Sequence, residues 1–197
     1  MNHPLRCGCG AIQGHIERSP SAVRAVCYCR DCQAYARFLG TSRVTDESGG
    51  TEVVAFAANH LRFTAGLDAL ACASLSERGI LRWYAGCCNT PIANTPRDPR
   101  IAYVGVVHSC VDAGPPKLED SFGPLRIAVN TNSARGRVRS TPVASTFGVA
   151  RLVLSLAAAR LGGAYRTNPF FESDLQTPIR PVHVLTAAER ERAYRDR

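Results

Sequence analysis

The chain has 197 residues, 45% of them hydrophobic and 20% charged, with a formal net charge of +8. That balance excludes wholesale disorder, and the length fits one domain with an extension better than two full domains. Lys117 is the only lysine, and from Arg135 onward eleven arginines face five acidic residues, so the basic character belongs to the tail. Nucleic acid, an anionic membrane surface or an anionic small molecule could each exploit such a tail, but an arginine-rich solvated face is the simpler expectation.

Residues 1–6 run straight into Cys7 without the basic start and apolar core of a signal peptide, so a cytoplasmic location is the expectation. There, clustered thiols stay reduced, and they are read as metal-binding or catalytic before they are read as disulfides.

Residues 5–16 are expected to form a turn carrying Cys7 and Cys9, then a short strand. Ala22 to Tyr28 reads as a second strand that delivers Cys27 and Cys29. Asp31 is placed to cap a helix running to about Phe38, with Cys32 in its first turn, where the helix dipole favours a thiolate. A loop over 42–51 precedes a strand over Glu52 to Ala57, another over His60 to Thr64, and a turn at Gly66-Leu67-Asp68. Ala69 to Leu75 and Ile80 to Tyr84 read as a hairpin leading into Cys87-Cys88. Pro91 to Asn94, Ile101 to Val107 and Leu125 to Val129 add short strands, so the expected fold is mostly β.

Residues 130–145 have the composition of a linker. Phe147 to Leu161 is a helical candidate built on Val149, Leu152, Val153, Leu156 and Leu161. Its uncharged run is far shorter than the ~20 residues that span a bilayer, so packing against the core or a second copy is expected rather than a membrane. Thr186 to Tyr194 opens on a capping-box pattern and reads as a short charged helix. The resulting division is a zinc-binding β domain over 1–112, a last strand and linker over 113–145, and a helical, basic extension over 146–197.

Seven of the nine cysteines fall in three tight clusters: Cys7 and Cys9; Cys27, Cys29 and Cys32; Cys87 and Cys88. Thiolates two and three residues apart can converge on one zinc ion from a turn and the first turn of a helix, with Zn–S distances of about 2.3 Å. The natural partition is four plus three, because a structural zinc takes four closed ligands and a catalytic one keeps a position open. Burial as small hydrophobes and metal-free redox chemistry are the competing readings. Cys72 reads as core. His108 and Cys110, as His-Ser-Cys after a strand, are weaker ligand candidates, and His15 and His60 read as structural.

The layout resembles the glutathione-dependent formaldehyde-activating enzyme family, which includes centromere protein V-like proteins. The resemblance rests on Cys7-Gly8-Cys9-Gly10, on Cys27-Tyr28-Cys29-Arg30-Asp31-Cys32, on Asn59 to Gly66 as a hairpin, and on Arg82 to Pro91, over roughly the first 107 residues. It implies a β-tent-like zinc fold. It also implies a structural zinc on the C-x-C and distal cysteines, and a labile, catalytic zinc on Cys27, Cys29 and Cys32. The implied activity is that of a carbon–sulfur lyase joining glutathione, or another small thiol, to an aldehyde.

The third motif departs from the family pattern. Ala85 stands where the first cysteine of a C-x-x-C belongs and Asn89 where glycine belongs, while Cys87 is an extra thiol beside Cys88. Either Cys87 and Cys88 both join Cys7 and Cys9, or Cys88 ligates alone and His108, Cys110 or nothing fills the fourth position. The alternative of a different class is a zinc-stabilised binding module that engages an anionic partner through its tail without catalysis. Nucleic acid is disfavoured as that partner, because the tail lacks interleaved aromatic residues.

Overall fold

A computed structural model describes residues 2–41, 44–111, 115–125, 127–139, 146–172, 174 and 177–195. Eleven strands and four α-helices are described, so the chain is mixed α/β rather than mostly β.

A small antiparallel sheet joins β1 (His3–Arg6), β2 (Gln13–Ile16) and β5 (Leu61–Ala65). Gly66 makes the turn after β5 with φ 71°; a side chain there would run into the carbonyl of Ala11. The large sheet contains β3 (Val23–Cys27), β4 (Thr51–Ala57), β6 (Leu70–Ser74), β7 (Leu81–Ala85), β8 (Pro91–Thr95) and β9 (Tyr103–Val107). Its edges are β10 (Ile127–Val129) and β11 (Val182–Val184), giving the order β10-β3-β4-β9-β8-β7-β6-β11. The interior pairs are antiparallel, whereas both edge strands pair in parallel. Parallel partners need no hairpin, so chain from beyond residue 113 closes both edges of a sheet built by the first 107 residues.

The core lies where the two sheets face each other. Trp83, Phe56, Leu61, Ile12, Ile92 and Phe170 are fully buried. Phe170, far from the others in sequence, lies 4.8 Å from Trp83 between ring centroids and meets Phe63 edge-on at 5.6 Å. The Trp83 indole donates to Thr95 Oγ1 at 2.9 Å, which satisfies its one polar atom inside the core.

Helix α1 (Arg30–Phe38) follows β3 directly. Its N-cap is Cys29 rather than the expected Asp31: Cys29 has an extended backbone and its sulfur accepts from the Cys32 amide. Asp31 lies two residues too deep for that geometry, and its carboxylate instead accepts from Tyr194. Helix α2 (Leu118–Phe122) was not apparent in the sequence. In α3 (Thr146–Leu161), the expected five-residue apolar face is only partly buried. Leu152 and Ala159 are covered, Leu156 half so, while Phe147, Val149, Val153, Leu154 and Leu161 are exposed. One helix face can touch the β3–β4 surface at a time, and the helix is apolar on more than one. Helix α4 (Ala187–Tyr194) has the expected capping box between Thr186 and Glu189 and packs on α1. Among the described residues no helix is long and apolar enough to cross a membrane.

Candidate metal centre

The two ends of the first motif-bearing region lie on different sheets and are brought together by the packing of those sheets around a shared core. The small sheet carries Cys7 and Cys9 in the turn after β1, and the turn after β7 carries Cys87 and Cys88. The four sulfurs lie within 4.8 Å of one another. Cys7 to Cys9 is 3.5 Å, Cys9 to Cys87 is 3.3 Å and Cys87 to Cys88 is 3.9 Å. Four sulfurs each about 2.3 Å from a tetrahedral zinc would stand roughly 3.8 Å apart, so the spacing fits one ion.

Adjacent cysteines can face one point only if the chain doubles back between them and the next strand. Asn89 supplies that bend with φ 55°, a left-handed conformation that asparagine tolerates better than most residues. The Asn89 amide donates to the Ala85 carbonyl at 2.8 Å, and Ala85 in turn donates to Thr90 at 2.9 Å, closing the turn. Asparagine thus performs at position 89 the conformational task that the resemblance assigns to glycine.

Supporting donors surround the sulfurs. The Ile12 amide donates to Cys7 Sγ at 3.3 Å, Thr90 Oγ1 lies 3.1 Å from Cys88 Sγ, and the same hydroxyl accepts from the Gly8 amide at 2.9 Å. Burial pushes the Cys88 thiol up, but the hydrogen bonds from Thr90 and the Cys9 backbone outweigh it and bring the thiol down to about 6. Cys87, bonded to Cys9, is pushed up to about 12. The thiolate is thus favoured at Cys88 and disfavoured at Cys87.

The second cluster lies at the junction of β3 and α1. The sulfurs of Cys27, Cys29 and Cys32 also lie within 4.8 Å of one another, and all three residues are half-buried. The thiols of Cys29 and Cys32 donate toward Cys27, holding it far below an ordinary thiol, while Cys29 and Cys32 are driven up in turn. Metal binding at such a group requires the thiols to lose their protons, and a bound ion would then meet three thiolates. No fourth histidine, cysteine or carboxylate joins this group among the described residues.

Two residues outside the cysteine motifs complete its surroundings. Asn130 Nδ2 donates to Cys27 Sγ at 3.3 Å from the segment that follows β10. Arg82 is buried at 3% exposure on β7; its guanidinium lies 5.0 Å from the Tyr35 ring centroid and donates to Asn94 Oδ1 at 3.4 Å. Its positive charge acts on Cys32 and Tyr35. A charged residue in the otherwise buried run Leu-Arg-Trp-Tyr-Ala was a visible signal for Arg82, whereas nothing in the sequence marked Asn130.

The weaker candidates lie elsewhere. Cys110 is fully buried and donates to the carbonyls of Val107 and Ile92, and burial pushes its thiol well up. His108 Nδ1 lies 3.2 Å from the Glu52 carbonyl. Cys72 is buried on β6, where burial pushes its thiol up to about 12. The His60 ring is held below the usual histidine value by burial. None of them belongs to either sulfur group.

Residues 1–177 match a family described as a family of unknown function, DUF6151. None of the curated proteins matches the chain. The crystal structure of a Rhodobacter sphaeroides protein is similar over 62% of this chain and 96% of its own, at 19% identity and a TM-score of 0.42.

Proposed function

The chain belongs to the DUF6151 family of unknown function, and from its two unequal sulfur clusters we propose that it is a zinc-dependent, carbon–sulfur lyase-like enzyme. It would join a small thiol such as glutathione to an aldehyde on a β-tent-like scaffold, as the resemblance to the formaldehyde-activating and centromere protein V-like family implies. The observation that carries this reading is the contrast in ligand number: four converging sulfurs in one cluster, three half-buried ones in the other.

An all-sulfur donor set suits zinc and other thiophilic ions and is wrong for calcium or magnesium, which take oxygen. Cys7, Cys9, Cys87 and Cys88 would hold a closed structural ion, and Cys27, Cys29 and Cys32 an open one. Zinc at the open position would supply a Lewis acid that favours the thiolate of a bound thiol at neutral pH.

The chain's own contribution is to hold the three sulfurs in place. The Cys32 amide fixes Cys29 at the head of α1, where the first-turn N–H groups favour negative charge. Asn130 fixes Cys27 from the opposite side. Arg82 places a buried positive charge beneath Cys32, where a three-thiolate zinc site would carry a net charge of −1.

The test is zinc stoichiometry on native protein combined with nuclear magnetic resonance assay of glutathione and formaldehyde. Two equivalents of zinc are expected, falling to one in Cys29→Ser with loss of turnover. Unchanged turnover in Cys29→Ser would reject the reading. Two tightly held zinc ions with no turnover of any thiol–aldehyde pair would favour the binding module instead.

A further inference from the structure

Beside the three-sulfur cluster, a groove of about 440 Å³ opens between α1 and the segment that follows β10. Its walls include Arg30, Gln33 and Arg37 from α1, and Asn132, Ser133 and Arg135 from the facing segment. The two walls are the same two pieces of chain that surround the cysteines. Arg30 follows Cys29 and Gln33 follows Cys32, while Asn130, which bonds Cys27, stands two residues before Asn132.

The walls are tied to each other and to the rest of the fold by hydrogen bonds. Gln33 Nε2 donates to the Tyr28 carbonyl at 2.9 Å and to the Ser133 carbonyl at 2.8 Å, which ties helix to segment. The Arg135 amide donates to Ser48 O at 2.9 Å, and Arg37 Nε donates to Ala193 O at 2.6 Å. Among the described residues no carboxylate lines the groove, and the guanidinium groups of Arg30 and Arg135 form no ion pair. The charges of Arg30 and Arg135 thus line one space with no ion-pair partner among the described residues.

We propose that this groove is a binding site for the phosphate group of a small phosphorylated ligand, held chiefly by Arg30 and Arg135. A phosphomonoester carries nearly two negative charges at neutral pH and three acceptor oxygens. Guanidinium forks pair with such oxygens two at a time, and a single carboxylate would offset only one of the two charges of Arg30 and Arg135. The volume is within the range of small-molecule sites, and the groove is lined by the sequence neighbours of Cys29 and Cys32. The inference deepens the functional reading above, since it names a chemical group on the molecule that would reach the three-sulfur site.

The test uses full-length protein and inorganic phosphate as the probe, by titration calorimetry at fixed ionic strength, with acetate titrated in parallel. Saturable phosphate binding is expected, about tenfold weaker in Arg30→Ala and in Arg135→Ala, with unchanged melting temperatures showing that both variants fold. Acetate should bind at least about tenfold more weakly than phosphate. Absence of saturation by ~10 mM phosphate, wild-type affinity in both arginine variants, or acetate binding as tight as phosphate would each overturn the proposal. Phosphate binding is measured without aldehyde, thiol or turnover. A Cys29→Ser protein that binds phosphate normally therefore separates this site from the thiol–aldehyde chemistry, and the two readings fail independently.

Discussion

The side-chain amide of Asn130 donates to Sγ of Cys27 across 3.3 Å, linking residues 103 positions apart in the chain. Cys27 sits at the end of β3 and Asn130 just after β10, and the parallel pairing of those strands, with Val129 opposite Cys27, fixes the approach. Asn130 has φ 57°, which turns its side chain back toward the sulfur. Hydrogen bonds of this kind to a ligating atom orient it and tune its affinity for metal.

Asn130→Gly keeps the left-handed backbone and removes only the amide. It is expected to weaken zinc binding at the three-sulfur site about tenfold, while zinc at Cys7, Cys9, Cys87 and Cys88 stays as tight as before. Competition against a chromophoric chelator, which resolves the two release steps, checks this. Equal affinity in the variant would show that the bond is incidental.

The turn at Asn89 makes a second, opposite-facing prediction. Asn89→Gly should leave the four-sulfur site intact, because glycine accepts φ 55°. Asn89→Val should cost about 1–2 kcal/mol of strain, lower Tm by about 3–6 °C and loosen the tighter of the two zinc ions. Thermal melts with and without chelator distinguish the two variants.

Arg82→Met keeps a long side chain against Tyr35 and deletes the charge. The buried cation favours the thiolate of Cys32, so its loss should move the pH profile of alkylation of the three cysteines in metal-free protein upward by about half a unit to one unit. Global stability should change by less than about 1 kcal/mol, because the variant also removes a buried charge with no carboxylate partner among the described residues. Peptide-resolved alkylation rates from pH 5 to 9 provide the measurement.

Tyr194 donates to Asp31 Oδ1 at 2.6 Å, fastening α4 to the first turn of α1. Burial, then the bond and charge of Asp31, push the Tyr194 phenol up to about 12 from its ordinary 10. The folded value is the higher one, so this contribution is complete below pH 10 and is lost as pH rises through about 12. Tyr194→Phe should cost about 0.5 kcal/mol near neutral pH, at the low end because the pair is exposed, and should remove the alkaline loss. Denaturant melts at pH 7.5 and pH 11 compare the two proteins.

Much of the local structure was legible in the sequence because short-range chemistry decides it. The spacing of Cys27, Cys29 and Cys32 fits a strand end running into a helix, and the short apolar run that follows Glu52 and ends at Ala57 and the Thr186 to Glu189 box mark their elements directly. Helix α2, strand β11 and the cap at Cys29 were not legible. The first two are short and lack a strong period, and a cysteine sulfur is a weak acceptor seldom chosen as a cap. The mostly β expectation gave way for a related reason: it weighed the strands of the first 107 residues and underweighted the helices beyond them.

By itself, the sequence determined that the cysteines come in clusters and that three of them, within six residues, must lie close together whatever the fold. Tertiary structure alone decided what stands around them. It set Cys87 and Cys88 against Cys7 and Cys9, brought Asn130 onto Cys27, buried Arg82 beneath Cys32, and laid Arg135 across from Arg30. Proximity along the chain is fixed by bond geometry and needs no fold, whereas these pairings span tens of residues or more. They form only where strand register and core packing hold both partners against the entropy of the intervening chain.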